Sequence, residues 1–245
     1  MKTGPEFLAA DWPAPAKVRA GVTTRHGGVS VAPYAGFNLA THVGDNPAAV
    51  AKNRALLTTL LNLPAEPVWL EQVHGVAVVN AASTQNFCAD AAFTTEKNSV
   101  CTVMTADCLP VLICNRVGSK VAAAHAGWRG LHAGVIEAAI QALQETPDNI
   151  LVWLGPAIGP QAFEVGEEVR AAFVSDLPQT AAAFKATKPG YWLADIYQLA
   201  RLRLARIGVN QIYGGGLCTY TDHQRFYSYR RDGKTGRMAS LIWMV

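Results

Sequence analysis

The fold is decided by residues 100–130, which read Val-Cys-Thr-Val-Met-Thr-Ala-Asp-Cys-Leu-Pro-Val-Leu-Ile-Cys (100–114), a polar break (115–120) and Val-Ala-Ala-Ala-His-Ala-Gly-Trp-Arg-Gly (121–130). Apolar runs bounded by turn residues predict buried strands, and the short break predicts that the two runs form a hairpin. Folding back about that break would place Cys108 roughly opposite His125. A thiol, the carboxylate of Asp107 and an imidazole are therefore expected at one end of a sheet.

Composition bounds the class of protein. The chain has 245 residues, of which 50% are hydrophobic and 16% charged, so a sizeable core is expected and wholesale disorder is not. The net charge of +3 comes without a basic run, so neither nucleic acid nor a membrane surface is expected as a partner. No apolar stretch has the length of a signal peptide or a transmembrane helix. The five scattered cysteines predict reduced thiols and a cytoplasmic protein.

Secondary-structure patterns along the chain predict one α+β domain over residues 1–245. Helices are predicted over Ala48–Leu61, Leu131–Glu145, Glu167–Val174 and Ile196–Ile207. Beside the central runs, strands are predicted over Lys17–Thr24, Pro67–Leu70, Val76–Asn80, Ile150–Leu154, Gln211–Tyr213 and Gly236–Met244. The polar segment Asn86–Asn98 is expected to be irregular and to cross the surface. Strands and helices mix along the chain without a regular βαβ order. Mixed sheets are therefore expected, and a doubly wound parallel fold is not.

Three residues at the ends of apolar runs or beside glycine suggest a metal site. His74, Cys108 and His125 offer two imidazoles and one thiolate, which form a three-ligand zinc set with an open fourth position. Such a site activates water or polarises a substrate oxygen. The same groups also allow a Cys108–His125 nucleophilic pair. The third interpretation is a buried thiol with two structural histidines, and spacing alone does not separate the three.

Cations and carboxylates near the central runs suggest an anion site. Arg129 lies beside two glycines where a helix is expected to begin, which is a common setting for anion binding. Other arginines that would add charge if their loops converge there are Arg25, Arg230 and Arg231. Asp107 and Asp90 are the carboxylates considered for proton transfer or for a ribose hydroxyl. Burying Asp107 after an apolar run would be costly without partners, which favours a role for it.

Several of these segments are also motifs of a known family. They are Thr24–Ser30 (Thr-Arg-His-Gly-Gly-Val-Ser), Asn38–Leu39 with His42–Asp45, Gln72–Gly75, Thr105–Pro110 (Thr-Ala-Asp-Cys-Leu-Pro), His125–Gly130 (His-Ala-Gly-Trp-Arg-Gly), Gly155–Pro160 and Ser228–Asp232. In this order, from about Val18 onward, the chain resembles the YfiH-like family. That family was first labelled multicopper polyphenol oxidase, or laccase domain, and is now described mainly as purine nucleoside phosphorylase.

The resemblance implies a three-layer sandwich, related to a fold otherwise seen in a toxin deamidase with a Cys–His pair. It implies a metal, generally zinc, held by His74, Cys108 and His125. It also implies phosphorolysis of adenosine, inosine and methylthioadenosine, with some adenosine deamination. On this reading the catalytic residues are Cys108, His125 and Asp107. The expected substrate-binding residues, for purine nucleosides and phosphate, are Arg25, Asn38, Asp90, Arg129 and Arg230.

Other activities attributed to this family remain open as alternatives. A cysteine or metal hydrolase acting on an amide of a peptidoglycan precursor would use the same thiol, and a binding protein would use zinc only structurally. Copper-dependent phenol oxidation fits less well, because six histidines without a His-x-His pair are few and scattered for a blue-copper and trinuclear site. The chain departs from many members at Gln161-Ala162, where they carry a cysteine, and no expected metal ligand is lost by it.

Overall fold

Two β-sheets pack against each other in the computed structural model, which describes residues 4–245. The strands are β1 Phe7–Ala9, β2 Val18–Thr23, β3 Val78–Asn80, β4 Ala91–Thr94, β5 Val100–Thr105, β6 Leu109–Asn115, β7 Val121–Ala126, β8 Ile150–Leu154, β9 Glu164–Gly166, β10 Phe184–Lys188, β11 Tyr191–Ala194, β12 Ile212–Gly214 and β13 Met238–Met244. The helices are α1 Pro47–Leu61, α2 Trp128–Ala133, α3 Val135–Leu143, α4 Glu167–Asp176, α5 Ile196–Arg206 and α6 Tyr229–Asp232. Short 3-10 turns cover Pro147–Asn149 and Pro178–Ala183.

Both main sheets include pairs of strands that lie far apart in the sequence. The four-stranded sheet runs β1-β2-β13-β5 and is antiparallel throughout. The six-stranded sheet runs β12-β8-β6-β7-β4-β3, with parallel pairs at its two edges and antiparallel pairs between them. A small third sheet has the order β10-β11-β9. The mixed sheets confirm the predicted α+β class.

Three apolar cores explain the layering. The first fills the space between the two main sheets, because alternate residues of β2, β5 and β13 face alternate residues of β6, β7 and β8. The second lies between the six-stranded sheet and helices α3 and α5, so sheet, sheet and helices form three layers. The third lies under α1, which covers the outer face of the four-stranded sheet.

The central hairpin is confirmed, but the first apolar run is not one strand. Strands β6 and β7 pair antiparallel, with Pro110 opposite His125. The run breaks at residues 106–108, so that β5 joins the four-stranded sheet and β6 the six-stranded one. Asp107 makes this change of sheet with a left-handed backbone (φ 94°). Its carboxylate accepts hydrogen bonds from the hydroxyl of Thr219 and the backbone N–H of Arg230, each at 2.6 Å, which holds the bend.

Side-chain caps begin two of the predicted helices. Helix α1 begins after Asn46, whose side chain accepts from the backbone N–H of Ala48 at 2.8 Å. Helix α5 begins after Asp195, which accepts from the N–H of Gln198. The predicted single helix after residue 130 is instead divided into α2 and α3 by Gly134, whose backbone is left-handed.

Two further predictions were wrong where tertiary packing overrides local polarity. The segment predicted to be irregular, Asn86–Asn98, contains the largely buried strand β4, which pairs with β7. The predicted strand Pro67–Leu70 forms only one bridge, between Val68 and Cys101. Of the helices that the structure describes, none is long and apolar enough to cross a bilayer.

Candidate active site

His74, Cys108 and His125 come together at one end of the space between the two sheets. One nitrogen of each imidazole and the sulfur of Cys108 lie within 4.8 Å of one another. The Cys108 sulfur is 3.7 Å from Nε2 of His74, and the two imidazole rings meet edge to face with centroids 4.8 Å apart. The three predicted ligands are therefore neighbours, although 34 residues separate His74 from Cys108 in sequence.

Strand register brings two of the candidate ligands, Cys108 and His125, to the same place. In β7, residues 122, 124 and 126 face the helices while residues 121 and 123 face the other sheet, so His125 also faces the other sheet. Cys108 directly precedes β6, whose residue Pro110 pairs with His125. His74 arrives from a loop and has a left-handed backbone (φ 62°).

One fully buried carboxylate holds both histidines. Oδ1 of Asp90 lies 2.8 Å from Nδ1 of His125 and accepts from the backbone N–H of His74 at 2.9 Å. Its Oδ2 accepts from the backbone N–H groups of Val73 (3.2 Å) and Gly75 (2.7 Å). Because the carboxylate accepts the proton on Nδ1, the Nε2 atom of His125 is left for a second partner.

Gly127 lets the His74 loop approach closely. A Cβ atom at this position would lie 2.6 Å from Cδ2 of His74 and 3.0 Å from the sulfur of Cys108. The backbone of Gly127 has φ −63°, so the requirement for glycine here is space and not backbone conformation.

Charge around the thiol favours its ionised form. Burial alone would raise the pKa of Cys108, but the charge of His125 and hydrogen bonds from His125 and His74 lower this pKa to about 6. Burial likewise acts to lower the pKa of His125, but the Cys108 thiolate and Asp90 raise it to about 9. Burial acts to raise the pKa of Asp90, yet hydrogen bonds from His125 and Gly75 lower it on balance.

The cluster has the chemistry of a metal site. Thiolate sulfur and imidazole nitrogen are the preferred ligands of zinc, and a carboxylate on the second nitrogen of a ligating histidine is a common outer partner. Three protein ligands leave a coordination position free. The residues present therefore fit a bound metal ion, and within residues 4–245 no second group of this kind is found.

A cavity of about 400 Å³, here called the site cavity, opens on this cluster. Besides the three ligands it is lined by His42, Gln72, Met104, Thr105, Ala106, Tyr229 and Arg237. A cavity of about 580 Å³, which includes Trp69 and Phe87, shares His42, Gln72 and Met104 with it. The larger cavity is not lined by the candidate ligands, so we take the smaller one as the candidate active site.

The predicted carboxylates and amide play different parts in the structure. Asp90 holds the histidines, and Asp107 next to Cys108 has both oxygens bonded to Thr219 and Arg230. Asn38 is fully buried and bonds to Asp45, Ala40 and the N–H of Arg237. Contact of these three with substrate stays a prediction.

The predicted arginines do not line the site cavity. Arg25 donates to the carbonyl of His223 and lies over the ring of Tyr227. Arg129 is exposed and lies over the ring of Trp128. Arg230 donates to the carbonyl of Glu164 and lies 5.8 Å from the ring centroid of Phe163. Their predicted contact with an anionic substrate is likewise untested.

Sequence reasoning missed the cation that does line the cavity. Arg237 directly precedes β13 and was treated as part of a strand. His42 and Gln72 were quoted only as motif residues. Gln72 clamps the end of β5, because its amide both donates to the carbonyl and accepts from the N–H of Met104, each at 2.8 Å. A polar or charged residue beside a strand end was the available signal.

Comparisons with known proteins agree over nearly the whole chain. Residues 19–245 match the family model described as multi-copper polyphenol oxidoreductase laccase. A purine nucleoside phosphorylase of Pseudomonas aeruginosa is 56% identical over 239 residues, covering 97% of this chain and 98% of that protein. The purine nucleoside phosphorylase YfiH of Escherichia coli K12 is 55% identical over 242 residues, covering 98% and 99% respectively.

Solved structures give the same picture. The crystal structure of a Neisseria meningitidis protein is similar with a TM-score of 0.93 and 52% identity, covering 97% of this chain and 98% of that one. The crystal structure of YlmD from Geobacillus stearothermophilus has a TM-score of 0.90 and 33% identity, with 97% and 96% coverage.

Proposed function

Because this chain belongs to the YfiH-like family, we propose that it is a zinc-dependent purine nucleoside phosphorylase. The observation that carries the proposal is the cluster of His74, Cys108 and His125, which faces a cavity of about 400 Å³. A cavity of this size is typical of small-molecule sites. The names of the two quoted curated relatives, which align over at least 97% of the chain, support the reaction class.

The proposed substrates are adenosine, inosine and methylthioadenosine together with inorganic phosphate. An oxygen of phosphate forms a bond to C1′ of the sugar, the bond from C1′ to the base breaks, and the base leaves with a proton. The products are the free base and a sugar 1-phosphate. Deamination of adenosine is the proposed side reaction.

The proposed roles of the chain follow from contacts around the cluster. His74, Cys108 and His125 would hold zinc, which when bound supplies a Lewis acid at the open side of the cluster. Asp90 holds the His125 ring through Nδ1 and the His74 loop through its backbone N–H, so that both segments are in place before substrate arrives. Asp107, next to the thiol, remains the carboxylate proposed for proton transfer or for contact with a ribose hydroxyl.

A second candidate is favoured by one specific arrangement. Cys108, His125 and Asp90 stand in the order thiol, imidazole and carboxylate that a nucleophilic cysteine requires. A metal-free cysteine hydrolase acting on an amide, as in a peptidoglycan precursor, would use them in this way. Copper-dependent phenol oxidation is supported only by the description of the family model.

The proposed setting of the enzyme is the cytoplasm. The five cysteines at residues 88, 101, 108, 114 and 218 are all unpaired, as in proteins of reducing compartments. Nucleosides and phosphate are the proposed partners, and nucleic acid is not among them.

A product assay with metal analysis tests the proposal. Purified protein is incubated with adenosine or inosine, with and without phosphate, and its zinc and copper contents are measured. We expect phosphate-dependent release of base and ribose 1-phosphate by zinc-loaded protein. No release at any zinc concentration would overturn the proposal. A covalent adduct on Cys108 with turnover of an amide by metal-free protein would favour the hydrolase.

A further inference from the structure

Arg237 lies where two cavities meet. It lines the site cavity together with the three candidate ligands. It also lines a second cavity of about 410 Å³, here called the outer cavity, with Lys234 and Thr235. His42 and Tyr229 are likewise common to both cavities, so these three residues form the junction between them.

The Arg237 side chain is oriented without a carboxylate partner. Its Nη1 donates to the carbonyl oxygens of Thr235 and Gly236, each at 3.0 Å, and its backbone N–H donates to Oδ1 of Asn38. In the part of the chain that the structure describes, Arg237 forms no ion pair. A guanidinium has five N–H donors, so Arg237 keeps donors and a full charge for a ligand.

Two buried hydroxyl groups near Arg237 have no hydrogen-bond partner among the described residues. Thr105, 1% exposed, lines the site cavity, and Thr235, 2% exposed, lines the outer cavity. Neither hydroxyl oxygen has a hydrogen-bond partner among residues 4–245. Thr105 is opposite Met238 in the sheet, directly beside Arg237. Buried polar groups are normally paired, so each unpaired hydroxyl suggests a ligand contact.

We propose that inorganic phosphate binds at this junction, with Arg237 as its cation and the hydroxyls of Thr105 and Thr235 as further donors. A tetrahedral oxyanion presents acceptors in several directions, which matches a guanidinium fork and separate hydroxyl donors. Lys234, which also lines the outer cavity, adds positive charge there. The inference rests on the proposed function, because it places the co-substrate of that reaction beside the cluster of ligands.

Thermal unfolding with added phosphate tests the site without turnover. We expect inorganic phosphate to raise the melting temperature of the zinc-loaded wild-type protein, since a ligand that binds the folded state stabilises it. Arg237→Gln and Thr105→Val should lose most of this shift. Thr102→Val is the matched control, because its hydroxyl is also buried and unpaired in β5 but lines neither cavity. Arg116→Gln, at the far end of β6, controls for loss of charge.

Kinetics separates this site from a purely structural role. The KM for phosphate should rise about tenfold or more in Arg237→Gln, as expected for loss of a charged hydrogen bond, and less in Arg237→Lys. The KM for inosine should change less than about twofold. Arg25→Gln and Arg129→Gln are the rival variants: a raised phosphate KM in either, with a wild-type value in Arg237→Gln, overturns the inference.

The outcomes also distinguish this inference from the proposed function. If no base is released but phosphate stabilises wild-type protein and not Arg237→Gln, the anion site stands and phosphorolysis falls. If base is released and neither measurement responds to Arg237→Gln, phosphorolysis stands and the site is wrong. Stabilisation by inosine monophosphate but not by inorganic phosphate would show that the junction binds a phosphate ester. That result would also overturn the inference that inorganic phosphate binds there.

Discussion

The carboxylate of Asp90 lies 2.8 Å from Nδ1 of His125 and at the same time accepts the backbone N–H of His74. A single buried side chain thus holds two histidines that come from different parts of the chain. His125 is held through a ring nitrogen, and His74 is held through its backbone N–H. The position of the candidate metal site is therefore set by a residue outside its ligand set.

Asp90→Asn should weaken metal binding by about 10- to 100-fold, as is typical when the outer partner of a ligating histidine is lost. The amide would turn its NH₂ group toward two donors, whichever oxygen it replaces. If it faces His125, the proton must move to Nε2, and that nitrogen can no longer bind a metal. Competition with a chromogenic chelator measures the affinity.

Asp176→Asn is the control for Asp90→Asn, because Asp176 is ion-paired with Arg203 and Arg206 on another side of the fold. It should retain wild-type metal affinity. Asp90→Asn should also lower the free energy of unfolding of the metal-free protein by about 1–3 kcal/mol, because buried donors lose their acceptor. Wild-type metal affinity in Asp90→Asn would show that this carboxylate does not position the ligands.

Cys108→Ala should lower zinc content and turnover together, because it removes one of the three proposed ligands. Cys108→Asp, with an oxygen ligand of different reach, should keep weak metal binding. Cys101→Ala and Cys114→Ala are controls: both thiols are buried in strands, so each change should cost about 1 kcal/mol of stability and leave the zinc content unchanged. Full zinc occupancy in Cys108→Ala would falsify the ligand assignment.

Alkylation of Cys108 in metal-free protein should reach half its maximal rate near pH 6. Burial opposes ionisation, but His125 and His74 lower the pKa of this thiol to about 6, so the reactive thiolate is present above that pH. An ordinary cysteine, with a pKa of about 8.5, would still gain reactivity above pH 8. Iodoacetamide labelling with peptide mass spectrometry measures the profile.

The same labelling experiment contains its own controls. Burial raises the pKa of Cys101 and the pKa of Cys114, to about 12 for Cys114, so both should stay unlabelled in folded protein. His125→Gln should move the Cys108 midpoint to higher pH, because it removes the main stabilising charge. A wild-type midpoint at pH 8 or above would contradict the proposed charge distribution.

Gly127→Ala should damage the metal site while sparing the fold. The new methyl group would overlap Cδ2 of His74 and press on the sulfur of Cys108, yet the backbone conformation suits alanine. We expect metal affinity to fall about tenfold or more, comparable with loss of an outer partner. Gly216→Ala is the control, since nothing lies within 4 Å of its added Cβ. Equal metal affinities in the two variants would disprove the steric argument.

The sequence was most informative where structure is local. The hairpin of β6 and β7 and the helices α1 and α5, which begin after the caps Asn46 and Asp195, depend on neighbouring residues, and all three elements were predicted. The strand β4 was missed because its polar flanks resemble a loop, and its pairing with β7 and β3 inside the sheet is what makes it a buried strand. The break at Asp107 was missed because its partners, Thr219 and Arg230, lie more than 100 residues away.

The candidate site shows the same division. His74, Cys108 and His125 were singled out by residue type and by their places at the ends of apolar runs or beside glycine, and the resemblance to the YfiH-like family implied a common role as metal ligands. Asp90 was considered for a ribose hydroxyl, but its hydrogen bonds to two ligand segments could be read only from coordinates. The local signal at Arg237 was only a charged residue beside a strand end, and its place in the cavity depends on where β13 enters the sheet.

The central position of β13 in the order β1-β2-β13-β5 constrains how the chain folds during synthesis. Every other described element is synthesised before β13. The edges of β2 and β5 that pair with β13 therefore stay unpaired until residues 238–244 have been made. Exposed edges invite wrong pairing, and distant contacts form slowly. We expect nascent chains that stop before β13 to need chaperones, and the cavity beside Arg237 to be assembled only at the end.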